Sequence, residues 1–188
     1  PGLIETEQID LWVDLETPTK EESEILGTVF NFHELAIEDC VALDIEEAKI
    51  DDYEDYLFLV FHAMFFNSEK LSFDISELDI FFGEKYVVTY HTKPVPAINQ
   101  LRKRLEKSIS IMSSGTDELL HAVLDTVVDN YGTSFKRLER EIYKLEAQIL
   151  TDASNRTFND LFRLRRGLIN LRRILTPCEE VLEDLGTK

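Results

Sequence analysis

The sequence predicts an α/β fold closed by a long antiparallel helical hairpin, and three observations predict it. Residues 9–15 (IDLWVDL) and 72–82 alternate apolar and polar side chains with period two, the mark of strands with one buried face. Residues 56–64 form an apolar run broken only by His62, which suits a central strand covered on both faces. After Thr116, apolar residues recur at steps of three and four through two long segments, as paired helices require.

Taken in order, the first strand leads to Thr17, which reads as a helix N-cap with Pro18 as the first helical residue. Glu21 and Glu22 then lie in the turn where the helix dipole favours acids. This helix carries Ile25, Leu26, Val29 and Phe30 on one stripe and ends near Asn31. A second short helix has Leu35, Ile37, Val41 and Leu43 as its apolar positions, and the acidic segment from His33 reads as a short acidic helix that delivers the chain into the central strand, residues 56–66. Residues 72–82 and 86–90 pair through a hairpin turn at Gly83-Glu84-Lys85. Pro94 and Pro96 stop the sheet, and a basic helix over 97–109 presents Ile98, Leu101 and Leu105.

A linker at residues 113–116 precedes the hairpin. Its first helix carries Leu120, Leu124, Val128, Tyr131, Phe135, Leu138, Ile142, Leu145 and Ile149; its second carries Leu161, Leu164, Leu168, Leu171, Leu175, Cys178, Leu182 and Leu185. The polar residues 151–156 join them. Pro177 should kink the second helix unless the helix restarts there. The chain thus divides into an αβ portion, 1–110, and a long hairpin, 111–188, packed on it within one structural domain.

The net charge of −17 is unevenly placed: residues 1–90 hold 23 acids and 4 bases, residues 91–188 hold 14 acids and 16 bases. The acidic half repels nucleic-acid phosphates and anionic headgroups and attracts cations, which argues against a nucleic-acid partner. Cys40 and Cys178 lie far apart with no CxxC spacing, which excludes a disulfide framework or zinc knuckle and fits a reducing compartment. There is no signal peptide and no apolar run of about 18 residues, so these residues alone do not span a bilayer. Pro1 and Gly2 in place of an initiator Met suggest a piece of a longer protein.

No catalytic pattern emerges. His33, His62, His91 and His121 have no partner at metal or catalytic spacing, and the serines lie in no GxSxG or SxxK context. No glycine-rich phosphate loop exists, so an enzyme is disfavoured. The densest feature is residues 33–64, where ten carboxylates face one base, Lys49. Such clusters are usually solvated faces; the functional alternative is a hard divalent cation. No EF-hand spacing is present, whereas a weak Mg²⁺ site keeps most of its waters and needs one or two carboxylates. The hairpin heptads serve either internal packing or self-association. The set Arg163, Arg165, Arg166, Arg172 and Arg173 is either a partner-facing or membrane-proximal stripe, or a counterpart to the acidic half.

Several segments, in order, resemble the soluble N-terminal domain of CorA-type magnesium transporters. LWVDLETPTKEE (11–22) resembles the family's opening strand and helix, and FHELAIEDC (32–40) resembles its LHPLAIEDV segment. KIDDYEDYLFLVFHAM (49–64) is similar to KVEEYDDYLFIVLHAM, ELDIFFGEKYVVTYH (77–91) to its paired strands, and LLHAVLDTVVDNY (119–131) to its long-helix start. FRLRRGLINLRRILTPCEEVLEDL resembles the helix that precedes the pore stalk. The resemblance implies an αβα sandwich around a mixed β-sheet, at the cytoplasmic face of the cell membrane. It implies a homopentamer whose stalk, membrane helices and GMN pore motif lie outside these residues, and divalent cations that hold the channel closed from between neighbouring domains.

The family places an acid just after the strand that ends here at Phe65-Phe66; Asn67 stands there, with Glu69 nearby, and the usual partner acid belongs to the absent stalk. Asn67 and Glu69 are therefore the candidate metal residues, for weak regulatory Mg²⁺. Residues 44–48 and Glu34 also depart from the family pattern, which has a basic, proline-containing stretch and a proline there. Related members move Zn²⁺, Co²⁺ or Ni²⁺. The rival expectation, from another class, is a soluble adaptor that binds a protein partner through the hairpin.

Overall fold

The structure, a computed structural model, describes residues 10–42, 45–107, 115–151 and 154–186. Its elements are β1 (Leu11–Glu16), α1 (Lys20–Ser23), α2 (Ile25–Thr28), α3 (Glu34–Val41), β2 (Lys49–Tyr53), β3 (Tyr56–Asn67), β4 (Ser72–Gly83), β5 (Tyr86–His91), α4 (Pro96–Lys107), α5 (Thr116–Thr151) and α6 (Asn155–Leu185). The strands form one mixed sheet in the order β1-β5-β4-β3-β2, with β1 parallel to β5 and the other pairs antiparallel. The chain leaves β1 at one edge and re-enters as β2 at the other, so α1–α3 cross one face while α4, α5 and α6 cover the opposite face. This is the expected αβα sandwich followed by two long helices. Expectations for Ile9, Leu43, Ile109 and the Ser113-Ser114 linker fall outside the described residues.

Alternation along the strands sorts the core into two layers. Leu57, Leu59, Phe61, Leu78, Ile80 and Val87 face α4–α6; Phe58, Val60, Phe81, Val88 and Tyr90 face α1–α3. The central strand β3 is therefore apolar on both sides, and Phe58, Leu59, Val60 and Phe61 are fully buried. Burial of each such side chain stabilises by roughly 1.5–3 kcal/mol. Phe32, just ahead of α3, stacks on Phe81 with ring centroids 3.9 Å apart. Gly83 closes the β4–β5 turn because a Cβ there would lie 2.5 Å from the Tyr86 ring.

β3 outruns its neighbour β2, whose pairing ends at Lys49 opposite Val60. The remaining edge of β3 is satisfied by side chains of α5. The Tyr131 hydroxyl donates to the His62 carbonyl, Ser134 Oγ donates to the Met64 carbonyl at 3.4 Å, and the Phe66 N–H donates to Ser134 Oγ at 3.3 Å. Two hydroxyls thus stand where a further strand would otherwise be needed.

Four expectations are corrected. Thr17 sits at φ 51° outside the helix, and the cap is Thr19, in a reciprocal capping box with Glu22 (3.2 and 2.8 Å). The predicted single helix breaks at Glu24 into α1 and α2. In α3 the buried pair is Ala36 and Cys40, whose small side chains let the helix approach the sheet, while Leu35 and Val41 are exposed. The acidic segment 49–53 is an edge strand, β2, where charged side chains are tolerated. Beyond these four, α6 runs from Asn155 to Leu185 with Pro177 inside it, so the helix does not restart there. The flanking Thr176 Oγ1 and Cys178 Sγ bond back to the carbonyls of Arg172 and Ile174.

Candidate functional site

Asn67 closes β3 and organises the β3–β4 turn. Its Oδ1 accepts the backbone N–H groups of Glu69 and Lys70, both at 3.1 Å, and its Nδ2 donates to Asp74 Oδ2 at 3.4 Å. Leu71, at φ 51°, completes the turn in the left-handed region. Glu69 is exposed and lines a groove of about 580 Å³ between this turn and the hairpin, together with Glu141, Lys144, Arg156, Asp160 and Arg163. Two of the acids there are already ion-paired, Glu141 with Lys144 at 2.7 Å and Asp160 with Arg163 at 3.1 Å.

The structure thus brings Asn67 to Asp74 and sets Glu69 in the groove beside the hairpin, while Asn67 spends its carbonyl oxygen on the turn. Among the described residues no group of three or more His, Cys, Asp or Glu is arranged to hold a metal ion.

A second set of acids lies under α3. Lys49 Nζ bridges Asp39 at 2.7 Å and Asp51 at 2.9 Å, so the lone base of the acidic segment is spent locally. On β4, Glu77 Oε2 accepts the Glu46 N–H at 2.6 Å. Burial pushes the Glu77 carboxyl up to about 7, aided by the charges of Glu46 and Asp39 and opposed by that bond. Asp79, 2% exposed, is raised far above the ordinary carboxylate range by burial and by Glu77, and its Oδ1 has no hydrogen-bond partner. Such burial favours the protonated form of the carboxyl. Cys40 beside it is likewise raised, by burial and then by Asp79, and is an inert thiol.

A third polar cluster was invisible in the sequence. Asp14, on the face of β1 expected to be open, is covered by α4, and its side chain is 8% exposed. Its Oδ1 accepts from Thr89 Oγ1 at 2.7 Å and lies 3.1 Å from His91 Nε2, while Oδ2 pairs with Arg102. His91 Nδ1 donates to the Lys93 carbonyl at 2.7 Å, and the Trp12 indole donates to Thr89 Oγ1 at 3.1 Å. Partners 75 to 88 residues apart leave no local spacing to find. Asp79 did leave a signal: an acid between Leu78 and Ile80 in an interior strand must be buried.

The comparisons with known proteins agree with one another. The family model described as CorA-like Mg²⁺ transporter protein matches residues 7–188. A Bacillus subtilis protein named for metal ion transport, YfjQ, is 36% identical over 171 residues, 91% of this chain and 52% of its own length. The cobalt/magnesium transport protein CorA of Thermotoga maritima is 24% identical over 161 residues, 85% of this chain and 46% of its own. The chain thus spans about half the length of these relatives. The soluble domain of CorA from Methanocaldococcus jannaschii has the same fold, with TM-score 0.78 at 21% identity, over 94% of this chain and 72% of that one. The ZntB cytoplasmic domain from Vibrio parahaemolyticus follows with TM-score 0.72 at 14% identity, over 95% and 69%. The chain belongs to the CorA-like Mg²⁺ transporter family, a family of transporters rather than enzymes.

Proposed function

We propose that this chain is the cytoplasmic, cation-sensing domain of a CorA-like divalent cation transporter that works as a homopentamer, its membrane-crossing segments lying elsewhere in the protein. The observation that carries the reading is the family match over residues 7–188. The excess of acids in residues 1–90 supports it by concentrating cations around the domain. Glu69 and Asp74, beside Asn67, are the carboxylates through which a hydrated Mg²⁺ would engage the β3–β4 turn. Regulation then requires only that the cation bind the closed arrangement of domains better than the open one.

Thermal melting of this chain in rising Mg²⁺ tests the sensing role. The midpoint should rise above that of a control matched in ionic strength, and Glu69→Gln with Asp74→Asn should remove the difference. Equal midpoints in Mg²⁺ and control overturn the role for this chain. A second reading, a soluble adaptor, is favoured by Phe158, Phe162 and Ile169, 43%, 51% and 60% exposed on α6. The gene downstream of Lys188 separates the two readings. Two apolar runs with Gly-Met-Asn between them support transport; an early stop codon supports the adaptor.

A further inference from the structure

The peptide of Glu46 sits between two titratable side chains. His62 and Glu77 are direct partners across β3 and β4 and so share one face of the sheet. The Glu46 N–H donates to Glu77 Oε2 at 2.6 Å, and the Glu46 backbone also lies where it favours a proton on His62. His62 is 2% exposed; its Nδ1 lies 3.5 Å from Cys178 Sγ on α6, and its Nε2 has no hydrogen-bond partner. Ile45, Glu46, Glu47 and Ala48 form one wall of a cavity of about 760 Å³. His62 and the α6 residues Asn170, Arg173, Ile174 and Pro177 also line it.

We propose that the Glu46 peptide is a proton-operated latch: ionised Glu77 holds the 45–48 wall of the cavity by the Glu46 N–H, and protonation of Glu77 loosens that wall from the sheet. A carboxylate accepts an N–H bond about twice as strong as a neutral carboxyl does, so protonation of Glu77 weakens this hold.

The surrounding charges set where the release falls. Burial raises Glu77 to about 7, with Glu46 and Asp39 adding to the rise, and burial lowers His62. Lys49 on β2 is tied to Asp39 and Asp51, and burial favours the proton on Asp79, on the same strand as Glu77. Cys40 on α3 and Cys178 on α6 are both raised by burial and stay thiols, and Tyr131 on α5 donates to the His62 carbonyl. Glu77, at about 7, thus changes charge near neutrality.

Amide nuclear magnetic resonance of this chain between pH 5 and pH 9 tests the latch. The Glu46 amide proton should move upfield as pH falls, with a midpoint near 7, and Glu77→Gln should abolish the movement while the other amides stay dispersed. A midpoint near the ordinary value of 4.5, or a movement that survives Glu77→Gln, overturns the proposal. Should that variant not fold, the side-chain carboxyl carbon of Glu77 in the unaltered chain decides: titration near 7 sustains the latch and titration near 4.5 refutes it.

Discussion

Asp14 keeps its charge while 8% exposed because three donors converge on it. Burial pushes its carboxyl up, but the bonds from His91 and Thr89 and the Arg102 guanidinium outweigh this and hold it below the ordinary 3.8. A carboxylate whose native value is lowered contributes stability that is present above 3.8 and is lost as pH falls through the lower native value. Asp14→Asn should therefore cost roughly 1–3 kcal/mol at pH 7, the worth of hydrogen bonds to a charged group. It should also flatten the acid limb of a stability-against-pH curve taken by urea unfolding. An unchanged acid limb would show that the charge on Asp14 does not tie β1 to β5 and α4. Nothing in IDLWVDL announces this role: Asp10 and Asp14 share a face, and what covers that face is α4, more than eighty residues downstream.

Among the elements, those whose pattern is local were legible and those defined by their neighbours were not. The runs of α5 and α6 follow from their apolar repeats, yet the repeat does not say which line is covered. In α6 Thr157, Leu164, Leu171 and Cys178 are buried at steps of seven, while Leu161, Leu168 and Leu182 stay 37–42% exposed. β2 escaped because Lys-Ile-Asp-Asp-Tyr has little strand propensity and is held by pairing with β3. The bare edge of β3 beyond Val60 gives the sharpest test at this scale. Ser134 is 1% exposed and serves both the Phe66 N–H and the Met64 carbonyl. Ser134→Ala leaves a buried N–H unpaired and should destabilise by about 1–3 kcal/mol, lowering the denaturant midpoint and speeding exchange of the Phe66 amide. Exchange at Phe66 unchanged from the parent chain would mean that α5 does not seal this edge.

The molecule as a whole is bound by one core layer that ignores the boundary between the αβ portion and the hairpin. Leu59, Phe61, Ile80 and Val87 of the sheet share it with Ile98 and Leu101 of α4, Leu119, Val123 and Val127 of α5, and Cys178 and Val181 of α6. Periodicity showed both parts but not the layer, because contact between them depends on sheet order rather than on any local repeat. Removing the hairpin would bare the α4–α6 face of β3 and β4, a loss no domain of this size survives when its total stability is about 5–15 kcal/mol. Sheet and hairpin should therefore unfold together. Trp12, the single tryptophan, reports on β1, β5 and α4, whereas far-ultraviolet circular dichroism is dominated by α5 and α6. In urea the two signals should trace one transition with a common midpoint and slope. The tip of the hairpin, where Leu150 is 88% exposed, contributes only a shallow baseline drift in the helical signal. Two resolved midpoints would instead make the hairpin an independent unit, able to move against the sheet without unfolding it.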